Sequence, residues 1–288
     1  MESNARPSAA RLAVLVALAL VGFAANSLLC RLALAGEGSI DPVSFTALRI
    51  GSGALILVAL AGPRRARERG SMLGTLALFV YAIAFSLAYV RIGASVGALV
   101  LFAAVQITML SSAIAKGDRP GPRTWIGLVA ALAGIAWLVA PGLSAPDPIG
   151  ALLMAGAGVA WGAYSLLGRR NGDDPLGTTA GNFSRALIPA LVCVGVGLLV
   201  ASPKLSLEGV LLAIGSGALA SGLGYAIWYA ALPWLDATRA GIVQLLVPIL
   251  AAAAALPLLG EALSLRLVGA GIVVIGGVAL ALVRPPRG

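Results

Sequence analysis

The decapeptide AWGAYSLLGR at residues 160–169 decides the fold of this chain, because a second version of it, GFAANSLLCR, occupies residues 22–31. Five of the ten positions are identical, and an aromatic residue, Phe23 or Trp161, stands at the second position of both. Half-identity over ten residues is weak evidence in a chain so rich in Ala and Leu. The order of the other matching segments must therefore decide whether the chain is a duplication.

The composition places the chain in a membrane. Of its 288 residues, 60% are hydrophobic and only 11% are charged, whereas about 25% of a typical soluble domain is charged. Long apolar runs between short charged connections are typical of polytopic helical membrane proteins. A membrane β-barrel needs short segments of alternating polarity, which this sequence lacks. We therefore expect an all-α integral membrane protein.

Ten segments are long enough to cross about 30 Å of hydrocarbon at about 1.5 Å per residue. The predicted transmembrane helices are residues 11–35, 43–61, 71–90, 94–115, 123–140, 149–168, 177–200, 208–230, 237–258 and 265–283. The start of the first helix imitates a signal peptide. Its apolar character continues to Ala35, however, so we interpret it as a retained span.

The distribution of Lys and Arg over alternate connections orients these spans, because cytoplasmic connections carry the excess of positive charge. Fourteen basic residues lie on one side: Arg6, Arg11, Arg64, Arg65, Arg67, Arg69, Lys116, Arg119, Arg123, Arg169, Arg170, Arg239, Arg284 and Arg287. The other side holds three: Arg91, Lys204 and Arg266. This asymmetry predicts cytoplasmic N- and C-termini. It also accounts for the net charge of +9 without a nucleic-acid partner.

Paired motifs keep the same order in both halves of the chain. The pairs are Asp41-Pro42 and Asp174-Pro175, Ala94-Ser95 and Ala237-Thr238, and Gly117-Asp118 and Gly260-Glu261. We therefore predict two five-helix repeats, at residues 1–145 and 146–288. Because five is odd, the second repeat enters the bilayer from the opposite side. Inverted repeats of this kind are typical of transporters that bind their substrate near the midplane.

Charged side chains at membrane depth are rare and mark candidate sites. Every Asp and Glu falls in a connection or a terminus, and the chain has no His. This favours facilitated or gradient-driven movement over proton antiport by an intramembrane carboxylate. Arg49 and Arg185 lie within predicted spans. Each could bind a substrate carboxylate or phosphate, or could snorkel or bond free backbone carbonyls; the sequence leaves both roles open.

Aromatic residues make up only 6% of the chain, and they cluster on the third, sixth and eighth spans. A cavity wall of aromatic faces with a few polar tips suits a small amphiphilic or cationic solute, with plain packing as the alternative. The residues expected on this wall are Tyr81, Trp161, Tyr164, Tyr225 and Trp228. The amides of Asn26, Gln106 and Gln244 could contact a ligand or bridge two helices.

Other functional classes lack the residues that they need. Cys30 and Cys193 lie in apolar runs, and without His there are too few ligands for zinc, haem or iron–sulfur centres, so no cofactor or metal is expected. No nucleophile–base pair of an enzyme can be assembled, and an assembly scaffold would not explain the repeat. Small residues on the fifth and tenth spans predict close packing or the face of a weak homodimer: Gly127, Ala131, Gly134, Gly269, Gly276 and Gly277.

Ten spans in an inverted five-plus-five repeat, with Gly260-Glu261 between the last two, closely resemble the drug/metabolite transporter superfamily, EamA-like group. The segments GYAIW at 224–228 and WGAY at 161–164 are similar to the aromatic amino acid exporter branch. The resemblance implies a bacterial inner-membrane exporter of aromatic and neutral amino acids and related metabolites, with drug-like cations as alternative substrates. It also implies a central cavity on whose helices fall Asn26, Tyr81, Trp161, Tyr164, Tyr225, Trp228 and Gln244, while Arg49 and Arg185 fall on the second and seventh spans.

Overall fold

The computed structural model describes residues 7–35, 39–117, 121–140, 145–170, 174–200, 202–235, 240 and 243–282. Within these ranges all regular structure is helical. The α-helices are α1 (Ala9–Ala35), α2 (Pro42–Ala61), α3 (Pro63–Glu68), α4 (Met72–Tyr89), α5 (Ala94–Ala115), α6 (Pro122–Val139), α7 (Pro148–Arg170), α8 (Pro175–Val200), α9 (Leu207–Gly215), α10 (Gly224–Ala231), α11 (Leu246–Leu259) and α12 (Leu265–Leu282). A π-helix, Ser216–Leu223, joins α9 to α10, and a 3₁₀ turn, Leu232–Trp234, follows α10.

The apolar helices are long enough for a multi-pass membrane protein. Seven helical stretches have the length and hydropathy to cross a bilayer: Ala9–Ala35, Pro42–Ala61, Met72–Tyr89, Ala94–Ala115, Pro148–Gly168, Pro175–Val200 and Leu207–Trp234. Three apolar helices are shorter: Pro122–Leu138, Leu246–Leu259 and Leu265–Ala281. Large apolar side chains such as Leu199 and Leu265, 88% and 91% exposed, face outward, as expected for contact with lipid. The prediction of an all-helical membrane protein is confirmed.

The Asp-Pro motifs that pair the two halves of the sequence are helix starts. The Asp41 carboxylate accepts hydrogen bonds from the backbone N–H groups of Val43 and Ser44, at 3.0 and 2.9 Å, at the beginning of α2. At the start of α8, Asp174 accepts one from Gly177 at 2.9 Å. An acidic N-cap followed by proline at the first helical position satisfies free N–H groups and presets the backbone.

Two segments differ from the sequence prediction. The connection after α2 contains the short helix α3, which the hydrophobic pattern does not report because the segment is charged. The eighth span is not a continuous α-helix, since the π-helix interrupts it. At Gly217 of this π-helix, a Cβ atom would collide with the Arg49 carbonyl oxygen and the Ser52 hydroxyl, so a side chain has no room. The predicted Ala237-Thr238 and Asp118 motifs lie outside the described residues.

The helices of the two halves pack in a reciprocal pattern. Helix α1 packs against the π-helix, α10 and α11, whereas α7 packs against α4 and α5. Helix α2 lies on α8, and α6 lies on α12. Small residues bring α6 and α12 together, because a Cβ atom on Gly127 or Gly277 would meet the backbone of the opposite helix. Gly127 and Gly277 of the predicted small faces therefore contact the opposite helix, whereas a Cβ atom on Gly276 would meet nothing within 4 Å.

Candidate functional site

Two cavities lie on either side of one group of aromatic rings. The larger has a volume of about 260 Å³, and its lining includes Trp228, Tyr229 and Gln244. The smaller has a volume of about 20 Å³, and its lining includes Asn26, Tyr81 and Phe85. Three residues line both cavities: Phe23, Trp161 and Tyr225. These three form what we call the aromatic wall.

Trp161 of α7 is the centre of the aromatic wall. Its ring stacks on Tyr225 at a centroid distance of 5.0 Å and an interplanar angle of 28°, and on Tyr164 at 5.3 Å and 27°. Tyr81 approaches it at 4.9 Å. Phe23 packs at 5.9 Å from Tyr225. Contacts of this type stabilise a pair of rings by about 1 kcal/mol beyond the area that they bury, so the wall is a packed partition.

The smaller cavity has a polar side made of residues that are far apart in sequence. The Asn26 Nδ2 group donates to the Tyr81 hydroxyl at 3.3 Å. Ser216, on the π-helix, donates to Asn26 Oδ1 at 2.7 Å. Helices α1 and α4 and the π-helix therefore meet in one hydrogen-bond chain. All three side chains are buried, where a satisfied polar network fixes the relative positions of helices.

Arg49 of α2 contacts this polar group through Tyr81 but does not itself line the smaller cavity. Its guanidinium donates from Nη2 to the Tyr81 hydroxyl at 2.9 Å and from Nε to the Ser221 hydroxyl at 3.3 Å. The guanidinium carbon stands 5.1 Å from the ring centroid of Tyr81 and 4.9 Å from that of Phe85. The residue is 2% exposed, and its Nη1 group has no hydrogen-bond partner among the described residues.

The second intramembrane arginine has a different environment. Arg185 donates from Nη1 to the Arg69 carbonyl at 2.5 Å and from Nη2 to the Arg67 carbonyl at 2.8 Å. These carbonyls belong to the end of α3 and the residue that follows it, where backbone acceptors lack helical partners. Arg185 thus caps a helix and lies at neither cavity.

The remaining predicted residues divide between the two cavities and their surroundings. Trp228 and Gln244 line the larger cavity but not the smaller one. Tyr164 lines neither cavity and is 3% exposed. Its ring stacks on that of Trp161, and its hydroxyl lies 3.4 Å from that of Thr179. Gln106 lines a separate apolar cavity of about 10 Å³ beside α6 and α12.

An acidic side chain caps a helix at one end of the bundle and connects three helical segments there. The Glu261 carboxylate accepts hydrogen bonds from the backbone N–H groups of Ala94 and Ser95, at 2.6 and 3.1 Å, and from the Ser95 hydroxyl at 3.0 Å. Arg31 approaches this carboxylate at 3.8 Å and donates to the Tyr89 carbonyl at 2.6 Å. A carboxylate at a helix N-terminus is stabilised by the free N–H groups and by the helix dipole. We call this group the Glu261 cap.

The cap, the smaller cavity and the larger cavity follow one another along the helices. On α5 the order is Ser95 at the cap, Phe102 at the smaller cavity and Met109 at the larger one. The larger cavity reaches the opposite end of the bundle, since Gly168 and Pro233, near helix ends, line it.

At that opposite end an ion pair connects α3 to the beginning of α8. Arg65 donates from Nε and Nη2 to the two oxygens of Asp174, at 2.8 and 2.5 Å. These hydrogen bonds, aided by the Gly177 N–H group, hold the pKa of Asp174 below its usual value against the opposing effect of burial. The Arg65 side chain is 52% exposed, so solvent and salt screen the pair.

The sequence reasoning missed Ser216 and Ser221 as partners of the site. Serine is common in membrane helices, and neither residue stands at a position that hydropathy distinguishes. The available signal was the run of glycines around them, which marks close backbone approach. Phe23 had a clearer signal, because it stands opposite Trp161 in the repeated decapeptide.

Known proteins with similar sequences support one family for both halves. The sequence profile of the EamA-like transporter family matches residues 11–140 and again residues 148–283. An uncharacterized protein of Pseudomonas aeruginosa is 52% identical over 277 residues, covering 94% of each chain. The threonine/homoserine exporter RhtA of Escherichia coli is 30% identical over 236 residues, 80% of this chain and 78% of the exporter. A solved crystal structure shares the fold with a TM-score of 0.65 at 24% identity, covering 92% of this chain and 98% of that one.

Proposed function

The chain belongs to the EamA-like transporter family, and from this premise we propose that it exports aromatic and other neutral amino acids, with related small metabolites. The proposed location is the bacterial inner membrane, and the proposed mechanism is alternating access through a central cavity. Its relative RhtA is named as a threonine/homoserine exporter, which supports amino acids as the first cargo to test.

The proposed architecture has ten spans in two inverted repeats, residues 1–145 and 146–288, with both termini in the cytoplasm. Two observations support it. The family profile matches once in each half, and the helix packing is reciprocal, with α1 on the third and fourth spans of the second half and α7 on those of the first. Since α6 and α12 bury their small residues on each other, we propose a monomer or a weak homodimer.

The aromatic wall is the observation that carries the functional proposal. In the proposed site the substrate occupies the larger cavity, in contact with Trp161, Tyr225, Trp228 and Gln244, and passes the wall toward Asn26 and Tyr81. Tyr164 positions Trp161 by stacking on its ring. A cavity of about 260 Å³ with an aromatic lining and a few polar tips has the character of a site for a small amphiphilic solute.

The arrangement of the cap and the cavities supports the proposal that this structure represents one alternating-access state. With the predicted orientation, the Glu261 cap lies on the periplasmic side and the larger cavity faces the cytoplasm. The substrate would enter from the cytoplasm, and export requires the cap to open. No Asp or Glu in the described part of the chain lies at membrane depth, so we propose facilitated or gradient-driven movement without an intramembrane carboxylate.

A drug-like cation is the second candidate cargo. The same rings favour it, because the faces of Trp and Tyr attract a desolvated cation with about 2 kcal/mol or more. The two candidates differ in whether the cargo carries a carboxylate, and transport measurements separate them.

Purified protein reconstituted in liposomes tests the proposal. We expect saturable counterflow of at least one of L-threonine, L-homoserine, L-phenylalanine and L-tryptophan, and no accumulation driven by a pH gradient alone. Counterflow of ethidium without any amino acid would select the cation alternative. A folded, reconstituted protein that moves neither class would contradict the proposal.

A further inference from the structure

Arg49 places a positive charge in the bundle interior, and no described residue supplies an acidic partner for it. The residue is 2% exposed, and the ion pairs within the described ranges involve Arg31, Arg64, Arg65 and Arg91 instead. An uncompensated buried charge costs several kcal/mol. An ionisable residue at membrane depth is by default a functional candidate whose partner must be named.

The contacts of Arg49 leave one donor group free. Nε and Nη2 donate to Ser221 and Tyr81, both neutral hydroxyls. Nη1 is buried and has no partner among the described residues. The rings of Tyr81 and Phe85 attract the guanidinium, but their quadrupoles do not neutralise its charge. The environment is therefore complementary to an anion that the described residues do not supply.

Tyr81 connects this charge to the smaller cavity. Its hydroxyl oxygen accepts hydrogen bonds from Arg49 and from Asn26, so both of its lone pairs are used. The hydroxyl is also in hydrogen-bond contact with that of Tyr225. The side chain lines the smaller cavity. An acceptor placed there would lie beside the Tyr81 hydroxyl group and in the field of Arg49.

We propose that Arg49, acting with Tyr81, recognises the carboxylate of the transported amino acid. This inference rests on the proposed function and deepens it. The carboxylate occupies the smaller cavity, and the side chain of the substrate remains against Trp161 and Tyr225. The smaller cavity, at about 20 Å³, has room for about one water molecule, so the stacked rings must separate when the carboxylate enters.

The amino group of such a substrate fits the same arrangement. No carboxylate lies at membrane depth in the described part of the chain, but the faces of Trp161 and Tyr225 attract cations. The structure thus offers a positive charge at one side of the wall and aromatic faces at the other, which is complementary to a zwitterion.

The competing explanation is that Arg49 only fastens α2 to the π-helix through Ser221. Ligand chemistry separates the two. A fastening residue affects every ligand equally, whereas a carboxylate-binding residue distinguishes an amino acid from its amide. Removing a charge-assisted hydrogen bond weakens binding by about 10- to 100-fold, and this loss should fall on the acid alone.

Binding measured on purified protein in detergent tests the inference even where transport is lost. Wild type, Arg49→Gln, Arg49→Lys and the control Arg185→Gln are titrated with L-phenylalanine, L-phenylalaninamide, L-threonine and L-threoninamide, following tryptophan fluorescence and the melting temperature. We expect wild type and Arg185→Gln to prefer the acids, Arg49→Gln to lose that preference at nearly unchanged amide affinity, and Arg49→Lys to retain part of it.

Three results would overturn the inference. The first is equal weakening of acid and amide in Arg49→Gln, and the second is equal affinity for both in wild type. If Arg49→Gln does not fold, an Arg49→Lys variant that keeps the full acid preference would be the third. All three leave the proposed function intact if wild type still moves amino acids in liposomes. If wild type moves neither amino acids nor ethidium, the proposed function itself is contradicted.

Discussion

The two sides of the aromatic wall are held together by different contacts. On the side of the smaller cavity, charged and polar groups bind helices from both halves: Glu261 caps α5, and Arg49 links α2 to Tyr81 and to the π-helix. On the side of the larger cavity the lining is mostly apolar, and at that end of the bundle the half-exposed Arg65 pairs with the buried Asp174. The contrast lies in the charged groups, which connect helices from both halves on the side of the smaller cavity, whereas the described residues that line the larger cavity include no charged side chain.

Removal of Trp161 should have the largest effect, because it breaks the wall that separates the two sides. Its indole contacts Tyr81, Tyr164 and Tyr225. We expect Trp161→Ala to reduce the rate of counterflow in liposomes by about tenfold or more, since several ring contacts of about 1 kcal/mol each are lost.

Trp125 offers a matched control for this substitution. It is 49% exposed on α6, outside both cavities. Trp125→Ala should leave the rate unchanged. Equal rates for wild type and Trp161→Ala, with both proteins folded, would remove the wall from the transport pathway.

The sequence predicts features of single helices on both sides of the aromatic wall, but not the contacts between helices. The Asp-Pro pairs precede the second and seventh predicted spans, and the clustered aromatics predicted a cavity wall that includes Trp161 and Tyr225. Hydrophobic periodicity reports which face of a helix is apolar, not which helix lies opposite. The contact of Asn26 with Tyr81, 55 positions away, therefore had no sequence signal.

The two arginines show the same limit. Arg49 and Arg185 look alike in sequence, each past a Pro near the start of a span. One meets hydroxyls and rings, and the other meets the free carbonyls at the end of α3. Because α3 is charged, the hydrophobic pattern does not predict it, and the backbone partners of Arg185 could not be predicted either.

Substitution of Gly217 should weaken the side of the smaller cavity by separating α2 from the π-helix. A methyl group there would overlap the Arg49 carbonyl oxygen and the Ser52 hydroxyl. Overpacking of this kind costs about 1–3 kcal/mol, so Gly217→Ala should lower the melting temperature of the purified protein. Gly215→Ala is the matched control on α9, because its Cβ atom would meet only Leu29 at 4.0 Å. A lower melting temperature in both variants would point to a general helix effect instead.

Neutralising Glu261 should open the closed end without breaking the wall. A Gln side chain keeps one acceptor oxygen but loses the charge that attracts Arg31 and the helix dipole, a loss of about 1 kcal/mol. This shifts the equilibrium toward the form open at that end by about fivefold. In a background with both native cysteines replaced by Ala, a cysteine introduced at Ala98, which is fully buried on α5, should react correspondingly faster with a maleimide.

The exposed Glu208, also in the first turn of a helix, controls for loss of charge alone. Glu208→Gln should leave the maleimide rate at Ala98→Cys unchanged. A Glu261→Gln protein that reacts no faster than its parent would show that the cap does not hold this end closed.

Asp174→Asn should have the smallest effect, because the Arg65 side chain is 52% exposed and solvent weakens its pairing with the buried Asp174 carboxylate. We expect the melting temperature to decrease by a few degrees at neutral pH and by less at high salt. Arg64→Ala should cause no change, because the i,i+4 pair of Arg64 with Glu68 is more exposed still.

The pKa of Asp174 is lower in the folded protein than its usual value of about 3.9. The folded state therefore favours the charged carboxylate, and the pair stabilises fully at any pH above that value. As the pH falls through the lowered pKa, the Asp174 carboxylate is protonated in the folded protein as well as in the unfolded protein, and this stabilisation is lost. The difference between wild type and Asp174→Asn should thus be constant from about pH 5 to pH 8 and shrink only in stronger acid; a difference that already declines between pH 7 and pH 5 would mean that another group sets the stability of this end.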